Sequence, residues 1–143
     1  MTGSQTRLEQ GSLTLEFAIV APAILVLIGL AIVGGRVVMA GGAVEQAAAA
    51  AAREASLARD PATAHARAVV VAEDTLRRQD LDCRDVTVNV DVSGFAQPVG
   101  ASGTVRTTVS CAVDLRGLGV PGVPGQRTLE ASAASALDRY RSR

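Results

Sequence analysis

The chain has 143 residues, 48% of them hydrophobic but only 2% aromatic, so its apolar content is alanine, valine and leucine rather than large core-filling rings. Fourteen basic residues, all of them arginine, balance fourteen acidic ones, which leaves no overall electrostatic footprint for nucleic acid. Such a chain has room for one modest domain plus an anchor, not for two independent cores.

The opening stretch, MTGSQTRLEQG, is polar and carries one Arg and one Glu. From Phe17 to Gly35 there follow 19 residues without a charge. As a helix they span roughly 28 Å, close to the hydrocarbon thickness of a bilayer, and they read as a transmembrane segment. A cleaved secretory signal is the competing reading, because AGGAVEQAAAAAA downstream offers small residues for an exit site. Against it stand a leader with no net basic charge and an apolar run longer than most signal cores. Pro22 removes one backbone bond inside the run and is expected to kink or loosen the helix there. Gly29, Ala31, Gly34 and Gly35 would let another helix approach closely, although so Ala- and Gly-rich a chain produces such spacings by chance.

Just ahead of the run stands Gly11-Ser12-Leu13-Thr14-Leu15-Glu16-Phe17. Leu13, Leu15 and Phe17 are apolar, so the membrane stretch effectively begins before Glu16. A carboxylate drawn into hydrocarbon costs up to a few kcal/mol unless it is paired or stays at the interface. The plain alternative is a Glu at headgroup level near a helix N-terminus, where negative charge is mildly favoured.

Gly11 followed by four residues, a Glu, an aromatic residue and an unbroken apolar helix is similar to the processing site of type IV prepilins. The fuller string, GSLTLEFAIVAPAILVLIGLAIVGGR, resembles the opening of TadE-like proteins of the tight adherence (Tad) pilus system. The resemblance is close over residues 11–36 and general beyond them. It implies that a membrane prepilin peptidase cuts between Gly11 and Ser12, so that Glu16 becomes the fifth residue of the mature chain. It further implies that Glu16 neutralises the amine of a neighbouring subunit's Ser12, with Phe17 as the motif's aromatic residue and Pro22 as its kink. Physics agrees with that role: an ammonium arriving from a partner turns a costly buried carboxylate into a pairing that sets axial register. The partners implied are membrane lipid, the peptidase, other pilin or pseudopilin subunits through the N-terminal helix, and the Tad assembly platform. Tad major pilins are much shorter than this chain, which favours a minor, accessory subunit.

Beyond the membrane the pattern from Val37 to Asp60 stays helical, with six alanines from Ala47 to Ala52. Gly34-Gly35 and Gly41-Gly42 are candidate flexible points. Asp60-Pro61 stops this helix and starts a second one, Asp60 as cap and Pro61 at the first position. The second helix, about Pro61 to Gln79, gathers Ala64, Ala68, Val71 and Leu76 near one side. His65 falls on its surface with no second metal ligand nearby. After Asp82 the period becomes two: Asp85–Val92 is a half-buried strand, Ser93–Gly103 a loop, and Val105, Val109, Cys111, Val113 and Leu115 mark a second strand. Gly117–Gly125 reads as loop and Thr128–Ala136 as a third strand. The expected fold is α+β, with a small antiparallel sheet covered on one face by the Ala-rich helix. The organisation is then leader 1–11, transmembrane helix 12–36, helical extension 37–60 and an extracytoplasmic domain 61–143.

Cys83 and Cys111 stand without a CxxC or a Cys/His cluster, so a disulfide in an oxidising compartment reads better than a metal site. A hairpin centred near Gln97 brings them level. Strand alternation, however, puts Cys83 on the wrong face. Either Cys83 precedes the regular strand or a bulge resets the register, and its place at the helix-to-strand joint favours the former.

These readings favour a filament subunit with no cofactor and no enzymatic activity. No Ser/His/Asp order, phosphate-binding glycine loop or pair of carboxylates flanking a cleft stands out. The alternative is a single-span envelope protein, not processed as a prepilin, whose outer domain binds a partner. Arg7 and the amino terminus on one side of the span against Arg36 on the other leave the topology undecided by charge.

Overall fold

In a computed structural model the chain is described over residues 6–98, 100–114 and 125–137, with side chains from residue 17 onward. The elements are α1 (Thr6–Ser56), α2 (Pro61–Arg78), β1 (Cys83–Asp91), a short 3-10 turn (Ser93–Ala96), β2 (Thr104–Asp114) and β3 (Gln126–Ala136). Leu115 and the loop expected over 117–124 lie outside the described residues. The architecture is α+β, and the chain divides into two units, Met1–Val37 and Val38–Arg143.

In the first unit the described side chains of α1 are mostly exposed, Val33 and Val37 being half-buried. Phe17, Ile19, Leu25, Leu27 and Ile32 are exposed, and the helix is long and apolar enough to cross a membrane. The helix runs on through Pro22, the position expected to kink or loosen it, and through Gly34-Gly35 and Gly41-Gly42.

In the second unit the C-terminal part of α1 becomes a buried face. Val44, Ala47, Ala48, Ala51, Ala52 and Ala55 recur at three- and four-residue spacing and are essentially inaccessible. The helix ends at Ser56, four residues before Asp60, where Ser56 Oγ donates to the Arg53 carbonyl at 2.7 Å. Such a bond competes with the next helical turn. Asp60 then caps α2. Its Oδ1 accepts from the Thr63 N–H at 2.9 Å and its Oδ2 from the Thr63 hydroxyl at 2.7 Å, with Pro61 in the first turn.

The face that α2 buries is Ala64, Ala68, Ala72 and Leu76, a strict four-residue repeat. Ala72 takes the place expected for Val71, which is only half-buried, because the repeat drifts by less than one position per turn. The helix stops without a glycine. Asp80 adopts a left-handed φ of 51°, its N–H bonds the Arg77 carbonyl, and the Leu81 N–H bonds the Leu76 carbonyl at 3.2 Å. This is the doubly bonded helix exit that usually employs Gly, with Leu81 packed on the core beside Leu76.

Two polar contacts tie α1 to α2 in antiparallel sense: Gln79 Nε2 donates to Gln46 Oε1 at 2.7 Å, and Arg67 pairs with Glu54 at 3.3 Å. The sheet has the order β1-β2-β3, antiparallel throughout. Its core face carries Val86, Val88 and Val90 from β1, Val105, Thr107, Val109 and Cys111 from β2, and Leu129, Ala131 and Ala133 from β3. The other face is short and polar: Thr87, Asn89, Thr108, Ser110, Glu130 and Ser132. At one end of the β1–β2 connection, Gly94 lies so close to the Thr104 backbone that a Cβ there would collide with it.

Candidate processing and subunit-contact site

The residues singled out for maturation all fall on α1. Gly11 and Ser12 lie within its helical backbone, and Glu16 precedes Phe17 at the start of the apolar stretch. The side chains of Ser12 and Glu16 lie outside the described residues, so the structure places their backbone alone. Phe17 is 76% exposed. Pro22 stands in the helix interior, where the Ala18 carbonyl lacks the N–H that an ordinary residue at 22 would supply. Between Glu16 and Arg36 there is no charged residue.

The glycines of this segment are not demanded by the chain's own packing. A Cβ built at Gly29, Gly34, Gly35, Gly41 or Gly42 meets nothing within 4 Å. In a helix interior glycine is among the least favourable residues, costing about 1 kcal/mol relative to alanine. These five in α1 therefore weaken the helix without relieving any contact with the described residues.

Cys83 and Cys111 form a disulfide, S–S 2.03 Å, Cα–Cα 5.4 Å. Cys83 is the first residue of β1 and pairs with Val113, and the register shifts between Cys83 and Asp85. The bulge, not a position ahead of the strand, is what turns Cys83 to the core face. Arg84, the extra residue, projects outward and pairs with Asp114 at 3.3 Å. Sequence alternation alone showed the parity conflict but gave no sign of where the extra residue sits.

His65 is exposed on α2, and among the described residues no three His, Cys, Asp or Glu side chains gather as a metal site. A shallow hollow at the α1–α2 turn is lined by Leu57, Ala58, Arg59, Asp60, Thr63 and Arg67. Its charged groups are largely engaged, Arg67 with Glu54 and Asp60 with Thr63. Hydrogen bonds from the Thr63 N–H and hydroxyl hold the Asp60 carboxyl below the usual aspartate range. The Ser93 backbone N–H and hydroxyl do the same for Asp91.

A family model described as TadE-like protein matches residues 11–53. The match opens on Gly11, takes in Glu16, Phe17, Pro22 and the apolar helix, and closes within the Ala-rich part of α1; α2 and the sheet lie outside it. Comparison with curated proteins and with solved structures gives no match. From Gly11 to Arg53, the segment that carries the candidate site, the chain is similar to TadE-like proteins.

Proposed function

We propose that this chain is a minor pilin- or pseudopilin-like subunit, without enzymatic activity, that takes part in assembling a Tad-type pilus or secretion filament. The observation that carries this reading is positional. Gly11, Glu16 and Phe17 stand at the head of an exposed, apolar, membrane-length helix, and the family match begins at that glycine. Water adds across the Gly11–Ser12 peptide bond, with a prepilin peptidase as catalyst, leaving a Gly11 carboxylate and a Ser12 ammonium. The Ser12 ammonium of one copy then meets the Glu16 carboxylate of the next. In hydrocarbon that pairing offsets the desolvation of both groups and disfavours any stagger that leaves the acid alone. The glycines that the chain's own packing leaves open fit close approach by neighbouring α1 helices. The disulfide-clipped unit would then lie on the oxidising side of the membrane, presented on the filament.

The test is the amino terminus of protein isolated from its native cell. A chain beginning at Ser12 is the expected result. One retaining residues 1–11 removes the prepilin reading and leaves a single-span protein with an outer domain.

A further inference from the structure

Resting on that maturation reading, the backbone raises a question of access. The Gly11–Ser12 bond lies inside α1, which is helical from Thr6 onward. In a helix the Gly11 carbonyl accepts the Leu15 N–H, the Ser12 N–H donates to the Leu8 carbonyl, and the next turn packs over the carbonyl carbon. Water cannot approach that carbon while both bonds hold. A peptide taken up in extended form, by contrast, has its main-chain groups free to pair with the protein that binds it.

We infer that residues 6–15 pass from helix to extended chain before hydrolysis, and that the helix propensity of this short segment sets the rate of maturation. Its composition is suited to the change. Thr6, Arg7, Glu9, Gln10, Gly11, Ser12 and Thr14 are polar or glycine, and Gly11, Ser12 and Thr14 are weak helix formers. Unwound there, the backbone finds water as a partner. From Phe17 to Gly35 no residue is charged, and in lipid a freed N–H or C=O has no partner, so the transition stops where that uncharged run begins. Leu13 and Leu15 are the apolar residues within the segment that unwinds, and Glu16 is the last charged residue before the uncharged run. Gly11 thus does more than mark the site: it weakens the helix at the bond to be cut. Atoms balance with water alone, since the Gly11 C–N bond breaks, the carbon gains oxygen as a carboxylate, and the Ser12 nitrogen leaves as an ammonium.

The experiment uses the full chain in lipid vesicles with reconstituted prepilin peptidase, following loss of the leader by mass. Leu8, Gln10 and Thr14, none of them in the Gly11/Glu16/Phe17 pattern, are each changed to Ala and to Gly. Exchanging Ala for Gly weakens a helix about five-fold per position. At each position the Gly variant should therefore be cut about five-fold faster than the Ala variant. The triple Gly chain should exceed the triple Ala chain by about a hundred-fold. Amide exchange of the uncut chains should rank in the same order over residues 6–15 and stay unchanged over 40–56. Rates that are flat across the series, or that follow Ala rather than Gly, overturn the inference while leaving processing itself intact. So does a segment 6–15 as protected as 40–56. A wild-type chain that is never cut removes the maturation reading, and this inference with it.

Discussion

Cys83 and Cys111 are bonded although neither faces the other in the strand register: Cys83 lies opposite Val113, and Cys111 lies opposite Val86. The bulge at Arg84 makes the diagonal reach possible by rotating Cys83 toward the buried Cys111. β1 is an edge strand, so the bridge fastens the sheet where only one neighbour holds it.

Removing the bridge should therefore loosen β1 before the rest of the unit. The closed loop, with a sequence separation of 28, gives a chain-entropy contribution of about 3–4 kcal/mol. The double variant Cys83→Ser/Cys111→Ala avoids leaving a buried hydroxyl at 111. It should unfold at clearly lower urea in pulse proteolysis of the detergent-solubilised chain, with amides of residues 83–91 losing protection first. Unchanged protection there would show that Val86, Val88 and Val90 hold the strand unaided.

Thr107 should respond with the opposite sign. Its side chain is fully buried on the core face of β2, and its hydroxyl has no hydrogen-bond partner among the described residues. An unsatisfied buried hydroxyl costs about 1–3 kcal/mol. Thr107→Val, nearly the same shape without that group, should stabilise the unit by about 1 kcal/mol in the same urea titration. A loss of stability would mean that the hydroxyl is satisfied in solution, by water.

Much of this architecture was legible in the residues. Alternating valines from Val86 to Val92 announced β1, Asp60-Pro61 announced the start of α2, and the uncharged run from Phe17 to Gly35 announced a helix long and apolar enough to cross a membrane. What escaped has definable causes. Asp80 ends α2 in a left-handed conformation that composition assigns first to Gly, so nothing marked it. The choice between Val71 and Ala72 depends on the facing surface, since a one-residue shift around a helix changes apolar content little in so Ala-rich a sequence. The bulge at Arg84 depends on where two strands meet, which one strand read alone does not contain. For the candidate site, Gly11, Ser12 and Glu16 were readable as a pattern because their proposed partner is another copy, not a residue brought near by folding.

At the start of α2, stability should depend on pH through Asp60. Hydrogen bonds from Thr63 lower its folded-state pKa relative to the unfolded chain. The sign follows: the cap's contribution is fully present above the usual aspartate pKa and is lost as pH falls through the lower, folded value. Asp60→Ala should reduce protection of the first turn of α2 at neutral pH. Asp60→Asn, which can still accept from the Thr63 N–H, should retain most of it and lose the acid dependence. Equal acid sensitivity of wild type and Asp60→Asn would assign that dependence to other carboxyl groups, Asp91 first among them.

Under the proposed function, substitutions at Glu16 should separate maturation from assembly. Gly11→Ala should leave a precursor about eleven residues longer than the mature chain, because the change falls at the bond to be cut. Glu16→Ala lies beyond that bond, so cleavage should proceed and incorporation into sheared filaments should fall several-fold. Glu16→Gln keeps the size and removes the charge. If pairing with the Ser12 ammonium is what retains this acid at the edge of an apolar helix, Gln should fail as Ala does, because a neutral amide leaves the incoming ammonium unpaired in a low-dielectric site. Normal incorporation of Gln alongside failure of Ala would make the role one of shape or hydrogen bonding. Normal incorporation of both would return Glu16 to the headgroup region as an interface residue with no part in subunit contact.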